Sequence, residues 1–238
     1  MITVFKRYEL KYMLTQSQKA AILKAIEPYM SLDQYGRTTI RNIYMDTENY
    51  RLIRRSIERP AYKEKLRIRS YCQATDQGTV FVELKKKCDG IVYKRRIPLP
   101  LAQACGWVCG GQSRPADTQI SREIDYCMSF YGKLKPTVFL SYEREAYCQK
   151  DGGDFRVTFD ENILYRREDI DLRSPAYGTP LLKEGQVLME LKCAGGIPLW
   201  MAEVLSREKI YKTSFSKYGT AYEEMMKQKE TSVYGNRF

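Results

Sequence analysis

The sequence predicts an α+β fold, antiparallel β-structure with helices packed on its outside, and three observations carry that reading. Segments with period-two alternation recur along the chain, three of them in close succession and joined by turn signals. Their polar faces are rich in cations, as in Arg67/Arg69, Lys94/Arg96, Arg144 and Arg156. Helical segments also outnumber what one apolar sheet face needs, so they can cover an apolar exterior.

Residues 5–13 alternate as a strand, with Arg7, Glu9 and Lys11 on one face and Tyr8, Leu10 and Tyr12 on the other. Thr15, with Gln18 three residues later, opens a helix through about residue 27, and Pro28 stops it. Residues 38–46 read as a β-branched strand and 48–57 as a helical crossover. Strands over 61–72, 79–88 and 91–99 make an antiparallel meander through turns at 76–78 and Asp89-Gly90. Helical spacing covers 101–109 and 117–131, with a loop at 110–115. Strands return at 136–147 and 155–160 around the turn 151–154. Residues 168–183, with two prolines and a glycine, read as a surface excursion. A strand over 187–193 ends at Gly195-Gly196, and a short helix covers 198–207. A polar segment, 212–222, follows, with fraying expected after 229.

With 40 Lys plus Arg against 29 Asp plus Glu, the 238-residue chain carries a formal charge of +11, which points to a polyanionic partner. Nucleic acid, an anionic membrane, nucleotides and phosphate chains all satisfy that condition. No Gly/Ser linker, low-complexity tract or repeat marks a boundary, so residues 1–238 read as a single domain. No apolar run approaches membrane-spanning length, and the expectation is a cytoplasmic protein. Seven cysteines without Cys-x-x-Cys spacing, and no histidine, argue against a zinc site and a disulfide framework. The missing histidine also removes the usual general base, leaving carboxylates, metal ions or positioning to support catalysis.

Alternation places Arg67 and Arg69 opposite Leu66 and Ile68, and groups Glu83, Lys85 and Lys87 opposite Val82 and Leu84. Lys94 and Arg96 alternate with Tyr93 and Ile97, and Arg156 and Thr158 with Phe155, Val157 and Phe159. Such faces can be solvated outer faces, or inward faces around a bound polyanion. Alternation alone leaves both open.

Several segments together resemble a known family: Arg7-Tyr-Glu-Leu-Lys-Tyr12, Ile43-Tyr-Met-Asp46, Lys65-Leu-Arg-Ile-Arg69, Phe81-Val-Glu-Leu-Lys85, Tyr142-Glu-Arg144, Arg156-Val-Thr-Phe-Asp160, Leu188-Met-Glu-Leu-Lys192 and Ser214-Phe-Ser-Lys-Tyr218. In this order, from about residue 3 to 223, they are similar to the VTC domain, the polyphosphate polymerase branch of the CYTH-like triphosphate tunnel metalloenzymes. The resemblance implies an antiparallel closed barrel of about eight strands forming a tunnel, its phosphate-binding residues pointing inward. It implies phosphate-holding roles for Lys11, Arg67, Arg69, Lys85, Lys94, Arg144 and Arg156, with Arg67, Arg69, Lys85 and Arg144 nearest the chemistry. Arg96, two residues along on the same strand face as Lys94, is a further candidate phosphate ligand, and Lys217 matches a late phosphate-contacting lysine. Glu190 matches the metal-binding carboxylate. The superfamily opens with Glu-x-Glu-x-Lys, whereas this chain has Arg7 at the first position, a departure that fits the polymerase branch and counts against a second metal site.

The implied activity is transfer of the γ-phosphate of ATP to a growing polyphosphate chain with release of ADP, supported by Mn²⁺ or Mg²⁺ on Glu190. A terminal phosphate oxygen is already ionised near neutral pH, so such transfer needs no strong base. The alternatives are an inorganic or nucleoside triphosphatase, for which Glu9 or Glu83 could orient water, and a non-catalytic polyphosphate-binding module. Nucleic acid is disfavoured because the cations alternate within strands. Coupling to a membrane needs a separate partner chain. Glu83 reads as a salt-bridge partner of Lys85 or Lys11, and removing an inward cation such as Arg67 or Arg144 is expected to relieve repulsion and leave the fold intact.

Overall fold

The computed structural model describes residues 8–58, 60–89 and 91–234, the last five by backbone alone. The chain begins with β1 (Tyr8–Leu14), α1 (Gln16–Ile26), β2 (Met30–Leu32), β3 (Thr38–Asp46) and α2 (Arg51–Ile57). The meander β4 (Tyr62–Ser70), β5 (Thr79–Cys88) and β6 (Ile91–Pro100) leads into α3 (Leu101–Val108) and α4 (Gln119–Tyr131). Then come β7 (Lys135–Gln149), β8 (Arg156–Arg166), β9 (Thr179–Pro180), β10 (Val187–Cys193), α5 (Leu199–Arg207), β11 (Lys212–Thr213) and α6 (Lys217–Tyr234). The alternation expected from residue 5 begins, within the described residues, at Tyr8; residues 5–7 and Gly90 lie outside them.

Local chemistry accounts for the boundaries. Thr15 and Gln18 form a reciprocal capping box that opens α1, and Thr118 with Ser121 does the same for α4. Asp89 takes a left-handed φ of 46° in the turn between β5 and β6. Tyr50, with φ 58°, precedes α2 without capping it, and the task passes to Asp46, whose carboxylate accepts from the Leu52 and Ile53 amides at 2.9 and 3.0 Å.

Among the described residues the sheet does not close. Its strand order is β11-β1-β10-β8-β7-β3-β4-β5-β6, with β2 added to β7 and β9 to β8, eleven strands in an open path. This corrects the expected closed barrel of about eight strands. The physical reason lies at the two ends. The two-residue β11 meets β1 only at Lys11 and Tyr12 and offers no ladder for a further strand. At the other end β6 carries Pro98 and Pro100, which have no N–H, and the run Lys94-Arg95-Arg96, features that keep a strand at an edge.

Two compact units divide the described chain, residues 8–39, 142–163 and 182–215 in the first and 40–141, 164–181 and 216–234 in the second. In the first unit α1 and α5 cover the apolar face of β1, β10 and β8, burying Ile22, Ile26, Met201 and Val204 against Leu14, Val157, Met189 and Leu191. In the second, α3 and α4 cover the apolar face of β4 and β5, burying Trp107, Ile124 and Cys127 against Leu66, Ile68, Val82 and Leu84. Each such aliphatic side chain contributes about 1.5–3 kcal/mol on full burial. Among the described residues no helix is long and apolar enough to cross a membrane.

Asp46 also accepts from the Tyr218 hydroxyl at 2.9 Å, tying α6 to the start of α2, and Tyr218 stacks on Tyr44 with centroids 4.5 Å apart. Asp46→Ala removes a charged acceptor for two helix amides and a phenol and is expected to cost about 2 kcal/mol or more in urea unfolding. A cost near zero would remove Asp46 from this role.

Candidate functional site

The opposite, polar face of each unit carries cations around buried carboxylates, Glu83 in the second unit and Glu190 with Asp160 in the first. In the second unit the register sets Tyr44 opposite Arg67 and Asn42 opposite Arg69, then Arg67 opposite Glu83 and Glu83 opposite Arg96. Glu83 is 1% exposed. Its Oε2 lies 2.7 Å from Arg67 Nη2 and 3.7 Å from Arg69 Nε, and its Oε1 lies 2.8 Å from Lys94 Nζ and 3.6 Å from Arg96 Nε. One carboxylate therefore faces four cations. Burial pushes the Glu83 carboxyl up, but Arg67, Arg69 and Lys94 together outweigh it and hold it at about 2. Burial lowers the Lys94 ammonium, against the pull of Glu83.

The same cations are positioned from behind. Arg67 Nη1 donates to the Tyr44 hydroxyl at 2.9 Å, and Arg69 Nε donates to Asn42 Oδ1 at 2.9 Å. Asn42 Nδ2 in turn donates to the Leu140 carbonyl at 3.0 Å. Next along the face, Lys65, Lys85 and Lys94 stand directly opposite one another across β4, β5 and β6. Like charges in cross-strand register are unfavourable. Lys65 Nζ donates to Ser216 Oγ at 3.0 Å, beside Lys217, the first residue of α6.

In the first unit Lys11 is opposite Glu190 and Glu9 opposite Lys192 between β1 and β10, while Thr158 of β8 is opposite Glu190. Glu190, 5% exposed, lies 3.4 Å from Lys11 Nζ, 3.4 Å from Arg144 Nη2 and 3.9 Å from Lys192 Nζ. Lys11 also donates to the Phe215 carbonyl at 2.8 Å and approaches Glu9 at 3.4 Å. Arg144 grips the fully buried Asp160 with both forks, Nε to Oδ1 at 2.5 Å and Nη2 to Oδ2 at 2.6 Å. Burial opposes the Arg144 charge, but Asp160, Tyr142 and Glu190 outweigh it and raise its proton affinity. Glu143 and Glu145 point to the other side of β7, where Arg37 and Lys19 take them.

The candidate residues thus fall into two groups: Arg67, Arg69, Lys94 and Arg96 meet at Glu83, and Lys11 and Arg144 meet at Glu190. Lys85 and Lys217 flank the first group. Arg156 sits opposite Lys192 on β8, more exposed, its Nη2 donating to Cys148 Sγ at 3.2 Å. The partners expected for Glu83, Lys85 or Lys11, are replaced by the four cations above, because Arg67 and Arg96 stand directly opposite it on the neighbouring strands. Asp160, Tyr44 and Asn42 were not singled out by sequence, although Asp160 follows Arg156 and Thr158 in the same alternation.

Among the described residues no three His, Cys, Asp or Glu side chains converge to hold a metal. The Glu9 and Glu190 carboxylates both flank Lys11 Nζ, each at 3.4 Å. One or two carboxylates completed by phosphate oxygens and water is the donor set Mg²⁺ ordinarily takes, so these residues fit such an ion.

Comparison with known proteins bears on the fold and the family. A candidate adenylate cyclase from Bacillus halodurans superposes with a TM-score of 0.54 at 12% identity, covering 89% of this chain and 95% of that one. A candidate adenylyl cyclase from Hippeastrum, described as revealing a dominant triphosphatase activity, superposes with a TM-score of 0.54 at 14% identity, over 91% and 95% of the two chains. At these identities the likeness is one of fold. No curated protein matches the chain in sequence. The family description of the VTC domain matches residues 6–226, nearly the whole length, and the chain belongs to the VTC domain family.

Proposed function

We propose that this protein is a metal-dependent polyphosphate polymerase that transfers the γ-phosphate of ATP to the end of a polyphosphate chain and releases ADP. The observation that carries the reading is that cations outnumber carboxylates on each polar face while Glu83 and Asp160 are already committed to guanidinium partners. A carboxyl held at about 2 is a poor base for activating water. Asp160 is closed off by both forks of Arg144. A phosphate-chain end is an ionised nucleophile that needs charge neutralisation and alignment instead.

Arg67, Arg69 and Arg144 bind phosphoryl oxygens through planar forks, and Lys11, Lys85, Lys94 and Lys217 supply point charges. Arg156, exposed at the start of β8, adds a further guanidinium. Tyr44, Asn42 and Asp160 hold the arginine planes, so the donors are oriented before substrate arrives. Glu190, with Glu9 beside it, would hold Mn²⁺ or Mg²⁺, which when bound neutralises charge on the nucleotide phosphates. The acceptor's negative charge makes the proton transfer unnecessary, and the proton balance closes with ADP as the leaving group.

A second reading, triphosphate hydrolysis, is favoured by one observation, the fold shared with the Hippeastrum protein described as having a dominant triphosphatase activity. The ratio of ADP to orthophosphate released from ATP separates the two: polymerisation gives ADP with little orthophosphate, and hydrolysis gives the two in equal amounts. In Glu190→Gln, metal-dependent turnover is expected to fall by about 100-fold or more while metal-free tripolyphosphate binding stays. Full turnover in that variant would remove Glu190 from the metal.

A further inference from the structure

Beside the Glu83 cluster lies an aromatic shelf that phosphate binding does not explain. Arg96, whose Nε is 3.6 Å from Glu83 Oε1, lays its guanidinium over the Phe81 ring with 3.4 Å from Cζ to the centroid. Tyr71, just past the end of β4, lies 5.3 Å from the same guanidinium and meets Phe81 edge-on at 5.6 Å. The Tyr71 side is open, at 38% exposure, and the Arg96 side chain is one-third exposed. A partly exposed guanidinium resting on one aromatic ring with a second ring beside it is a surface beside which a heteroaromatic base stacks.

Position gives the shelf its meaning. The Glu83 oxygen that Arg96 approaches is the one Lys94 Nζ reaches at 2.8 Å, and the other oxygen is held by Arg67. Stacking platform and anion-binding cations are therefore adjacent on one strand face, the arrangement a nucleoside triphosphate requires and inorganic triphosphate does not. We infer that Arg96, Phe81 and Tyr71 form a base-stacking subsite that selects a nucleoside triphosphate, rather than an inorganic chain, for the Arg67, Arg69 and Lys94 cations. The inference rests on the reading above, in which ATP is the donor, and adds the residues that recognise its base. It gives Arg96 a role distinct from that of Lys94 on the same strand face: Lys94 presents a point charge, whereas Arg96 presents a plane.

The test is calorimetric titration of the purified protein with ATP and with inorganic tripolyphosphate, without divalent metal so that nothing turns over. Arg96→Lys keeps the charge but loses the plane, and Tyr71→Leu keeps bulk but loses the aromatic ring. Each is expected to weaken ATP binding roughly 5- to 100-fold and leave tripolyphosphate within about twofold of wild type. Equal weakening of both ligands by Arg96→Lys, with Tyr71→Leu unchanged, would make Arg96 a phosphate ligand and overturn the shelf while the phosphate reading stands. Wild-type protein that binds neither ligand overturns both. If circular dichroism shows Arg96→Lys to be unfolded, Tyr71→Leu decides alone.

Discussion

Arg144→Ala is expected to lose ATP turnover and about 3–5 kcal/mol of stability together, because the residue serves substrate and fold at once. Its two forks are the charge partners of Asp160, which is fully buried, and its Nη2 also reaches Glu190 at 3.4 Å. Truncation strips a carboxylate that is out of contact with water of both guanidinium forks, and weakening the compensation of a buried charge is among the largest costs a single substitution incurs. This reverses the expectation that removing an inward cation relieves repulsion. Repulsion among cations is outweighed where each is already paired with a buried carboxylate. The double variant Arg144→Ala/Asp160→Ala removes the stranded charge and should recover most of the stability, but no turnover. Urea unfolding of the single and double variants measures the first part, and ADP release the second. A single variant as stable as wild type would show that Asp160 does not depend on Arg144.

Glu83→Gln carries the second large effect, and its sign depends on pH. The Glu83 carboxyl sits at about 2 against an ordinary 4.5, so the folded state favours the charged form. That preference contributes about 3 kcal/mol, present in full above about pH 4.5 and lost as pH falls toward 2. At neutral pH the glutamine variant leaves Arg67, Arg69, Lys94 and Arg96 facing a neutral amide and should be less stable by about that amount. Near pH 2 wild type and variant should converge. Tripolyphosphate should restore much of the loss at neutral pH, since a bound polyanion replaces the missing counter-charge, and should bind the variant more tightly than wild type. Urea midpoints at pH 7 and pH 2.5, with and without tripolyphosphate, give all of these. A difference between wild type and variant that is the same at both pH values, or a variant indifferent to the polyanion, would contradict the role given to Glu83.

How far the sequence reaches is visible element by element. Alternation over 38–46, 79–88 and 187–193 coincides with β3, β5 and β10, since seven or more residues display a period. The strands β2, β9 and β11 have two or three residues each, too few for any period; the sequence leaves β2 unassigned and puts β9 in the surface excursion and β11 in the polar segment. Closure is a property of edges, and alternation describes faces. The prolines of β6 are the signal in the sequence that speaks for an open edge. The site shows the same division. The cations are legible because Arg and Lys recur on single strand faces, whereas Glu83 and Asp160 acquire their importance from register, which brings residues 67, 83 and 96 into one row. The left-handed Tyr50 and the cap that Asp46 provides in its place are likewise tertiary facts, set by where β3 ends relative to α2.

Phosphorus NMR of the purified protein with ATP and Mn²⁺ decides whether polymer forms. An internal-phosphate resonance should grow in step with ADP, with little orthophosphate. Orthophosphate in step with ADP and no internal-phosphate signal, or ATP that persists unchanged, would contradict polymer formation.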